Sequence, residues 1–447
     1  MSKNGFIAIN RFGMGSSIED TIRISKDPKN WLLSQLSKSK LTKETRALSQ
    51  GLSDLETITK KVQVTKDTPQ KERDKIKKLA RQIFRSEIEK RTKHAISTDN
   101  PFLERLALFW SNHFTVSVKG NPLLIGIAGV YEREAIRPHV LGKFSDMLLA
   151  VTRHPAMIVY LDNQGSFGPN SKAGNRRGRG LNENLAREIL ELHTLGVNGG
   201  YTQEDIISLA KIITGWTIKP PQMAGKAGYR YIDRMHEPGT HTLLGRSYAQ
   251  HGEKQGIEAL TDLAFHPSTA RFISTKLAMH FISDTPPQSA IAKLEKTFLN
   301  TGGDLLEVSK TLIELPEVWN KPLGKFKTPY ELIVSSLRTL NAGKHDFDMK
   351  KVISSFQLMD HMPFGATSPA GWSDLEADWL SSNSLMNRIE WAHALSQLVP
   401  FKANPNDVAK IVIGPAADAD TMLWISRAPS AKDGLALIMA SPAFQRR

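Results

Sequence analysis

Residues 181–195, LNENLAREILELHTL, decide the fold because apolar side chains recur there at every third or fourth position. At 100° per residue these side chains cover one stripe and much of the far side of a helix. They are Leu181, Leu185, Ala186, Ile189, Leu190 and Leu192. A helix that is apolar nearly all round is normally buried, so the segment predicts a helix inside a packed body.

Helical patterns also dominate the rest of the chain. Asn100-Pro101 and Thr202 carry the signals of helix starts, an N-cap before proline and a near capping box. Periodic apolar runs predict further helices over residues 17–38, 143–161, 254–280, 287–315, 329–340 and 433–442. Strand signals are confined to 229–232 and 240–244. We therefore expect an all-α fold, a compact multi-helix bundle with one small β-hairpin near 229–244.

Composition places the chain among folded globular proteins. It has 447 residues, of which 40% are hydrophobic and 23% are charged. A chain of 49.7 kDa buries enough surface to fold without disulfides or structural metal ions. We expect a single helical domain over residues 1–447. Cysteine is absent, which excludes disulfides, thiolate metal sites, iron–sulfur clusters and cysteine nucleophiles.

No segment of the sequence predicts a membrane span or a secretory signal. The longest apolar run covers residues 123–130, far short of the roughly 20 residues that a bilayer requires. The first residues, MSKNGFIAINRFG, lack the apolar core of a signal peptide. We expect a cytoplasmic location for the chain as it stands, and the alternative is an exported protein of which this chain is a processed form.

Positive charge is concentrated in one segment. The formal net charge is +14, and residues 60–94 hold 13 Lys/Arg against 5 Asp/Glu. The periodicity there predicts a basic amphipathic helix. One interpretation is a solvated outer face, and the other is a docking site for an anionic partner such as nucleic acid, lipid headgroups or an acidic glycan. Phe84 is the only aromatic residue of the segment, which argues against single-stranded nucleic acid.

The helix at 181–195 also carries the main candidate site. Asn184, Glu188 and Glu191 fall within a stripe of about 60° on a regular helix. Buried carboxylates are costly unless they are paired, liganded or protonated. Arg187 can pair with the glutamates on either side, which is the structural interpretation. The functional interpretation is a general acid and base, or hard ligands for a divalent metal ion.

Two histidines are candidates to assist these glutamates. His113 continues an apolar face, so it is either a core residue or a group that meets the glutamate helix across a pocket. His236 begins HEPGTH, which differs from the zincin motif in spacing and contains a helix-breaking Pro-Gly pair. We expect a loop histidine near the site rather than a metalloprotease.

Two irregular segments flank this chemistry. Residues 165–180 (GSFGPNSKAGNRRGRG) and 219–228 predict flexible loops. The candidate substrate-binding residues are Asn184, Arg187, Arg176, Arg177, Arg179, Trp216 and Trp372. The three loop arginines in this set predict a positively charged entrance, beside the glutamate helix, that faces an anionic substrate.

Several longer phrases together resemble one known family. They include FWSNHFTVS (109–117), HPAMIVYLDN (154–163), NENLAREILELHTLGVNGGYTQEDI (182–206), HPSTARFISTKLAMHF (266–281), KTPYELIVSSLR (327–338) and AGWSDLEADWLSSNSLMNRIEW (370–391). In this order they resemble the bacterial domain-of-unknown-function family 1800. The resemblance implies a helical protein of a group in which many members have export signals and sulfatase-like neighbours. It implies no reaction and no catalytic residues.

Two functions are consistent with the sequence. The first is a hydrolase or transferase for an anionic substrate, with Glu188, Glu191, His113 and His236 at the catalytic site. The alternative is a non-catalytic binding or assembly protein that docks an acidic partner through the basic helix at 60–94. A small anionic molecule or glycan is the expected ligand in the first case.

Overall fold

The computed structural model of the chain describes residues 1–24, 27–62, 64, 67–118, 121–178, 180–219, 227–321, 323–340, 347–399 and 403–447, without the side chains of 18, 19 and 177. Within these ranges helices dominate, and strands form only two small antiparallel pairs. The all-α prediction is therefore confirmed. No helix in these ranges has both the length and the apolar character needed to cross a bilayer.

The first half of the chain contains thirteen α-helices within the described ranges. They are α1 (Lys3–Ile7), α2 (Ile18–Arg23), α3 (Pro28–Leu33), α4 (Lys38–Ser49), α5 (Leu55–Val62), α6 (Gln70–Ser97), α7 (Pro101–His113), α8 (Pro122–Tyr131), α9 (Phe144–Arg153), α10 (Pro155–Tyr160), α11 (Lys172–Arg177), α12 (Asn184–Glu188) and α13 (Gln203–Ile212). Three of these helices continue into π-helical turns, at Ala8–Phe12, Glu132–Ile136 and Ile189–His193.

The second half adds strands and twelve more helices within the described ranges. The strands are β1 (Trp216–Ile218), β2 (Tyr229–Tyr231), β3 (His241–Leu243) and β4 (Arg246–Tyr248). The helices are α14 (Glu253–Phe265), α15 (Pro267–Phe281), α16 (Gln288–Asn300), α17 (Leu305–Glu314), α18 (Glu317–Asn320), α19 (Pro329–Thr339), α20 (Met349–Leu358), α21 (Ser382–Leu398), α22 (Pro405–Val412), α23 (Ala419–Ser426), α24 (Ala431–Ala440) and α25 (Pro442–Gln445).

The two predicted strands are present as β2 and β3, but they do not pair with each other, and each pairs with a strand that the sequence did not predict. β2 pairs with β1, and β3 forms a hairpin with β4. The hairpin turn consists of Leu244 and Gly245, both with positive φ, which is the backbone of a tight two-residue turn. Glycine accepts this conformation without strain, and the turn directs the chain after β3 back along β3 rather than along β2.

Prolines divide several of the predicted long helices. The run at 143–161 breaks at His154-Pro155, and the run at 254–280 breaks at His266-Pro267. In both cases the histidine Nδ1 accepts a backbone N–H of the new helix at 3.1 Å and so caps it. The predicted basic helix at 60–94 is also two helices, α5 and α6, because Pro69 precedes α6 in an extended conformation.

The predicted loops have a mixed outcome. Residues 165–180 were expected to be irregular, but they contain the short helix α11, whose first turn is capped by Ser171 Oγ. Most of the segment at 219–228 lies outside the described residues. The prediction of one domain over 1–447 stays a prediction.

Buried apolar side chains form two clusters. The larger one is built from residues between Ile7 and Trp319, and the smaller one mainly from α19 and the helices after it. α19 is buried over ten successive residues, 329–338, and therefore has no solvent face. Polar side chains on such a helix need partners inside the protein.

Two charged side chains of α19 have these partners. Glu331 completes a capping box with Thr328, and its carboxylate also forms ion pairs with Arg105 of α7 and the chain-terminal Arg447. Arg338 donates to Asp20 at 2.5 Å and to carbonyl oxygens, including that of Gly15. Burial raises the pKa of Glu331, but Arg447 and Arg105 outweigh it and hold the pKa well below its usual range.

Glu331→Gln is expected to reduce the free energy of unfolding by about 3–5 kcal/mol, since it leaves Arg105 and Arg447 buried without their counter-charge. The matched control is Glu295→Gln, which removes a partly exposed ion pair with Arg271 and is expected to change stability by less than about 1 kcal/mol. Urea denaturation of both variants measures the difference. Equal losses in the two variants would contradict the role of the buried pair.

Lys327 provides a pH-dependent prediction. Its side chain is buried, its ammonium group donates to Ser335 Oγ at 3.2 Å, and burial lowers its pKa from 10.5 to about 7. Between these two values the unfolded chain binds more protons than the folded one, so stability rises with pH. From about pH 7 to about pH 9 we expect this residue to add about 2 kcal/mol to the free energy of unfolding. Lys327→Met should remove that increment, as measured by denaturation at both pH values, and an unchanged pH dependence would contradict the assignment.

Candidate active site

A small cavity of about 100 Å³ lies where the two apolar clusters meet. Phe109 and Val116 of its wall belong to the larger cluster, and Tyr330 belongs to the smaller one. Its volume holds about three water molecules or a chemical group of similar size. The cavity therefore fits the reacting end of a small molecule.

A histidine–aspartate pair lines this cavity. His280 is in the last turn of α15, and its Nδ1 lies 2.7 Å from Oδ1 of Asp374. Its Nε2 is buried and hydrogen-bonds to no described group. Since Nδ1 donates its proton to the carboxylate, the lone pair of the neutral ring is on Nε2. This is the arrangement of an oriented general base.

Burial and neighbouring charges together favour the protonation states that a general base and its carboxylate need. It lowers the pKa of His280 below its usual range, although Asp374 opposes the shift. Burial raises the pKa of Asp374, but interactions with His280, Lys325 and Lys276 outweigh this effect and lower the pKa to about 2. At neutral pH the pair therefore consists of a neutral imidazole and an ionised carboxylate.

The segment that carries Asp374 is fixed to α7. The Asn112 side chain donates to the carbonyl oxygen of Trp372 at 2.8 Å and accepts its N–H at 2.7 Å. Gly371 has φ +81°, and a Cβ there would lie 2.5 Å from the Asn112 carbonyl oxygen. Only glycine fits this approach. Lys325 Nζ also donates to the backbone oxygen of Asp374.

Two more polar groups reach the cavity from α19 and the segment that follows α20. Tyr330 Oη is buried without a described partner, and burial raises the pKa of Tyr330 to about 12, so it stays protonated. His361 Nδ1 accepts the backbone N–H of Tyr330 at 3.0 Å. The neutral His361 ring therefore carries its proton on Nε2. Phe109, Phe364 and Trp372 supply aromatic walls.

Two of the hydroxyl groups at the cavity already donate to acceptors within the protein. Ser111 Oγ donates to Glu132 at 2.9 Å, and Thr115 Oγ1 donates to the Asn112 carbonyl oxygen at 2.6 Å. No serine or threonine in the described ranges hydrogen-bonds to His280. Nor do His, Asp and Glu side chains gather there in threes or more in a way that could hold a metal ion.

The predicted glutamate stripe lies elsewhere. Glu188 and Glu191 are partly exposed, and Arg187 pairs with Glu191 at 3.4 Å and with Glu183 at 3.1 Å. Burial, with Glu191 next to it, raises the pKa of Glu188. The prediction of one regular α-helix over 181–195 is wrong, because α12 ends at Glu188 and a π-helical turn follows. The spacing of 100° per residue does not hold beyond that point. The catalytic role of both glutamates stays a prediction.

The predicted histidines are buried at separate points of the fold. His113 Nε2 contacts the His193 carbonyl oxygen at 3.1 Å, and burial lowers the pKa of His113 well below its usual range. His236 Nδ1 contacts the Thr214 carbonyl oxygen at 3.0 Å. No described hydrogen bond or ion pair joins either ring to Glu188 or Glu191.

The predicted substrate-binding residues are also dispersed. Trp372 lines the cavity, whereas Trp216 is fully buried under the Arg153 guanidinium and Asn184 is exposed. Arg187 is engaged with the glutamates. Arg176 lines a separate cleft, while the Arg177 side chain and Arg179 lie outside the described residues.

The basic residues of α6 are on its outer face. Those exposed without an ion pair to a described residue are Lys71, Lys75, Lys77, Lys78, Arg81 and Arg85. Both interpretations of the basic segment are consistent with this exposure, and the docking of an acidic partner stays a prediction.

Sequence reasoning did not find His280, Asp374, Tyr330 or His361. His280 and Asp374 are 94 residues apart, so no local spacing connects them. The one available signal was a histidine at the end of the apolar run in KLAMHF (276–281), together with an aspartate two residues after Trp372.

Fold and cavity define a helical protein with a His–Asp pair at a small cavity. The chain matches the model of the family described as protein of unknown function (DUF1800) over residues 7–446. It belongs to this family, and the resemblance noted in the sequence is confirmed. Comparisons with curated proteins and with solved structures found no match.

The unpartnered Tyr330 hydroxyl gives a stability prediction. Tyr330→Phe removes no described hydrogen bond, so the free energy of unfolding should stay the same or rise. The matched variant is Tyr131→Phe, which removes a buried 2.8 Å hydrogen bond to the Phe114 carbonyl oxygen. That change should cost about 1–3 kcal/mol, as measured by urea denaturation. A loss of this size in Tyr330→Phe would show that the hydroxyl has a partner inside the fold.

Proposed function

We propose that the chain is an enzyme that carries out hydrolysis or group transfer at the cavity, with His280 as the general base. The observation that carries the proposal is the 2.7 Å contact between His280 Nδ1 and Asp374, combined with a buried and unpartnered Nε2. Other buried histidines, such as His113 and His236, also have a ring nitrogen without a described partner, so His280 is distinguished by the carboxylate that orients its ring at the cavity wall.

The nucleophile in this proposal comes from the ligand side. The Ser111 and Thr115 hydroxyl groups already donate to other acceptors. Thr328 and Ser373, which also line the cavity, form no described hydrogen bond with His280. A water molecule or a substrate hydroxyl would therefore transfer its proton to His280 Nε2 while its oxygen attacks the substrate. The same proton then passes to the leaving group, which restores the neutral ring.

Other cavity groups fit the role of stabilising negative charge on the substrate. The Tyr330 hydroxyl is protonated at neutral pH because burial raises its pKa to about 12. The His361 proton is on Nε2, since Nδ1 accepts a backbone N–H. Fixed donors beside a developing oxyanion supply one of the largest contributions to catalysis.

An anionic substrate is favoured by Lys276. This residue precedes His280 by one helical turn on α15, is half-buried, and forms no hydrogen bond or ion pair with a described group, although the Asp374 carboxylate favours its charged form. Lys276 does not line the cavity itself, so it would attract a substrate carboxylate or phosphate through its charge rather than by direct contact with the cavity wall. Burial lowers the pKa of Lys276, and a bound anion would favour its charged form.

The test is a turnover screen of the full chain with chromogenic esters, amides, phosphates and glycosides. On any substrate that is turned over, His280→Gln is expected to reduce kcat by about 10²–10⁴-fold. Asp374→Asn should also reduce kcat, because it removes the carboxylate that orients the ring. His251→Gln changes an exposed histidine and should leave turnover unchanged.

The pH profile provides an independent readout. Because burial lowers the pKa of His280, the wild-type kcat/KM should stay constant through neutral pH and fall only below the usual histidine range. Lys276→Met should mainly raise KM for anionic substrates.

Glu188→Gln and Glu191→Gln belong in the same screen. If these changes abolish turnover while His280→Gln does not, the site is the glutamate stripe and the cavity proposal is wrong.

A further inference from the structure

A basic cleft, separate from the cavity, is formed by α11 and the turn at Asp233–Met235. Its volume is about 470 Å³, and it shares no lining residue with the cavity. Lys172 and Arg176 project from α11, and Arg234 projects from the turn. No acidic residue is among the residues that line this cleft.

The three cations have no ion-pair partner among the residues that the structure describes. Lys172, Arg176 and Arg234 are exposed, and none forms an ion pair or side-chain hydrogen bond with a described residue. Exposed cations without an ion pair also occur elsewhere in the chain, as Lys71 and Lys75 do on α6, but the three in the cleft line one concave site. Like charges held close together repel one another, so this arrangement favours a bound anion.

The backbone beneath the cations is fixed. Glu237 is buried and accepts the Asn170 backbone N–H at 2.8 Å and the Asn170 side-chain amide at 2.6 Å. The Gly168 N–H donates to the Met235 carbonyl oxygen at 2.9 Å. A Cβ on Gly168 would lie 2.5 Å from the Glu237 Cα, so the two segments are in direct contact. These contacts hold the helix and the turn in one relative position.

The floor of the cleft is apolar. It consists of Phe167 and Met235, which are 3% and 7% exposed. A site with an apolar floor and a cationic rim matches an organic anion, whose uncharged part covers the floor while its charged groups reach the rim. Three cations at the rim match more than one negative charge.

We propose that this cleft is a binding site for a multivalent anion, either a phosphate ester or a polycarboxylate. The site is independent of the catalytic proposal, because none of its residues lines the cavity. Arginine binds both kinds of group through paired N–H donors, so the two sources share one chemistry at the rim.

The experiment measures binding of inorganic pyrophosphate, citrate and acetate to the full chain by titration calorimetry at constant ionic strength. Pyrophosphate or citrate should bind at one site and at least tenfold more tightly than acetate. Tighter binding of pyrophosphate would identify the ligand as a phosphate ester, and tighter binding of citrate would identify it as a polycarboxylate. Arg234→Gln and Arg176→Gln should each weaken that binding at least fivefold. The matched control Lys293→Gln, an exposed lysine outside the cleft, should stay within twofold of wild type.

Three outcomes would overturn the proposal. They are the absence of binding of both multivalent anions, equal affinity for acetate, and a loss in Lys293→Gln as large as in the cleft variants. Melting temperatures of all variants should match that of the wild type, since the changed side chains are exposed and unpaired. A drop in Arg234→Gln or Arg176→Gln would assign the residue to the fold rather than to a ligand.

Discussion

The structure depends on one buried carboxylate, that of Glu331, held between Arg105 and Arg447. Arg105 belongs to α7 in the larger apolar cluster, Glu331 to the fully buried α19, and Arg447 to the end of the chain. These two ion pairs, which share the Glu331 carboxylate, thus join three parts of the protein that are distant in sequence. Arg105 also donates to the Gly13 carbonyl oxygen at 2.7 Å, which ties the N-terminal helices to the same point. Buried ions are tolerated only when such partners are all in place.

The same constraint positions the candidate active site. Arg105 and Glu331 line the cavity, and Tyr330 directly precedes Glu331 on α19. The Arg447 guanidinium donates to the His280 carbonyl oxygen at 3.0 Å and so fixes the end of α15. A site built on buried helices and a closed ion network keeps its geometry better than one built on loops. The cavity lies at this junction because neither apolar cluster fills the space around the ions.

Periodicity predicts the helices well, since burial of an apolar stripe is a local property of the sequence. It fails at His154 and His266, where a proline and a capping histidine start a new helix inside one apolar run. It fails again after Glu188, where a π-helical turn changes which side chains share a face. The glutamate stripe was visible because its members are three and four residues apart. His280 and Asp374 meet only in the folded chain, so no spacing rule could connect them.

The two proposed sites use charge in opposite ways. In the cavity, burial keeps His280 neutral, whereas interactions with His280, Lys325 and Lys276 keep Asp374 ionised. In the cleft, Lys172, Arg176 and Arg234 are exposed and unpaired. Exposed cations are screened by salt and attract anions over a distance of about 10 Å, whereas a closed cavity acts only on groups that enter it. The two proposed sites therefore have different roles, since the cleft captures an anion at the surface and the cavity transfers a proton in the interior. Substitutions that disable one site should leave the other intact.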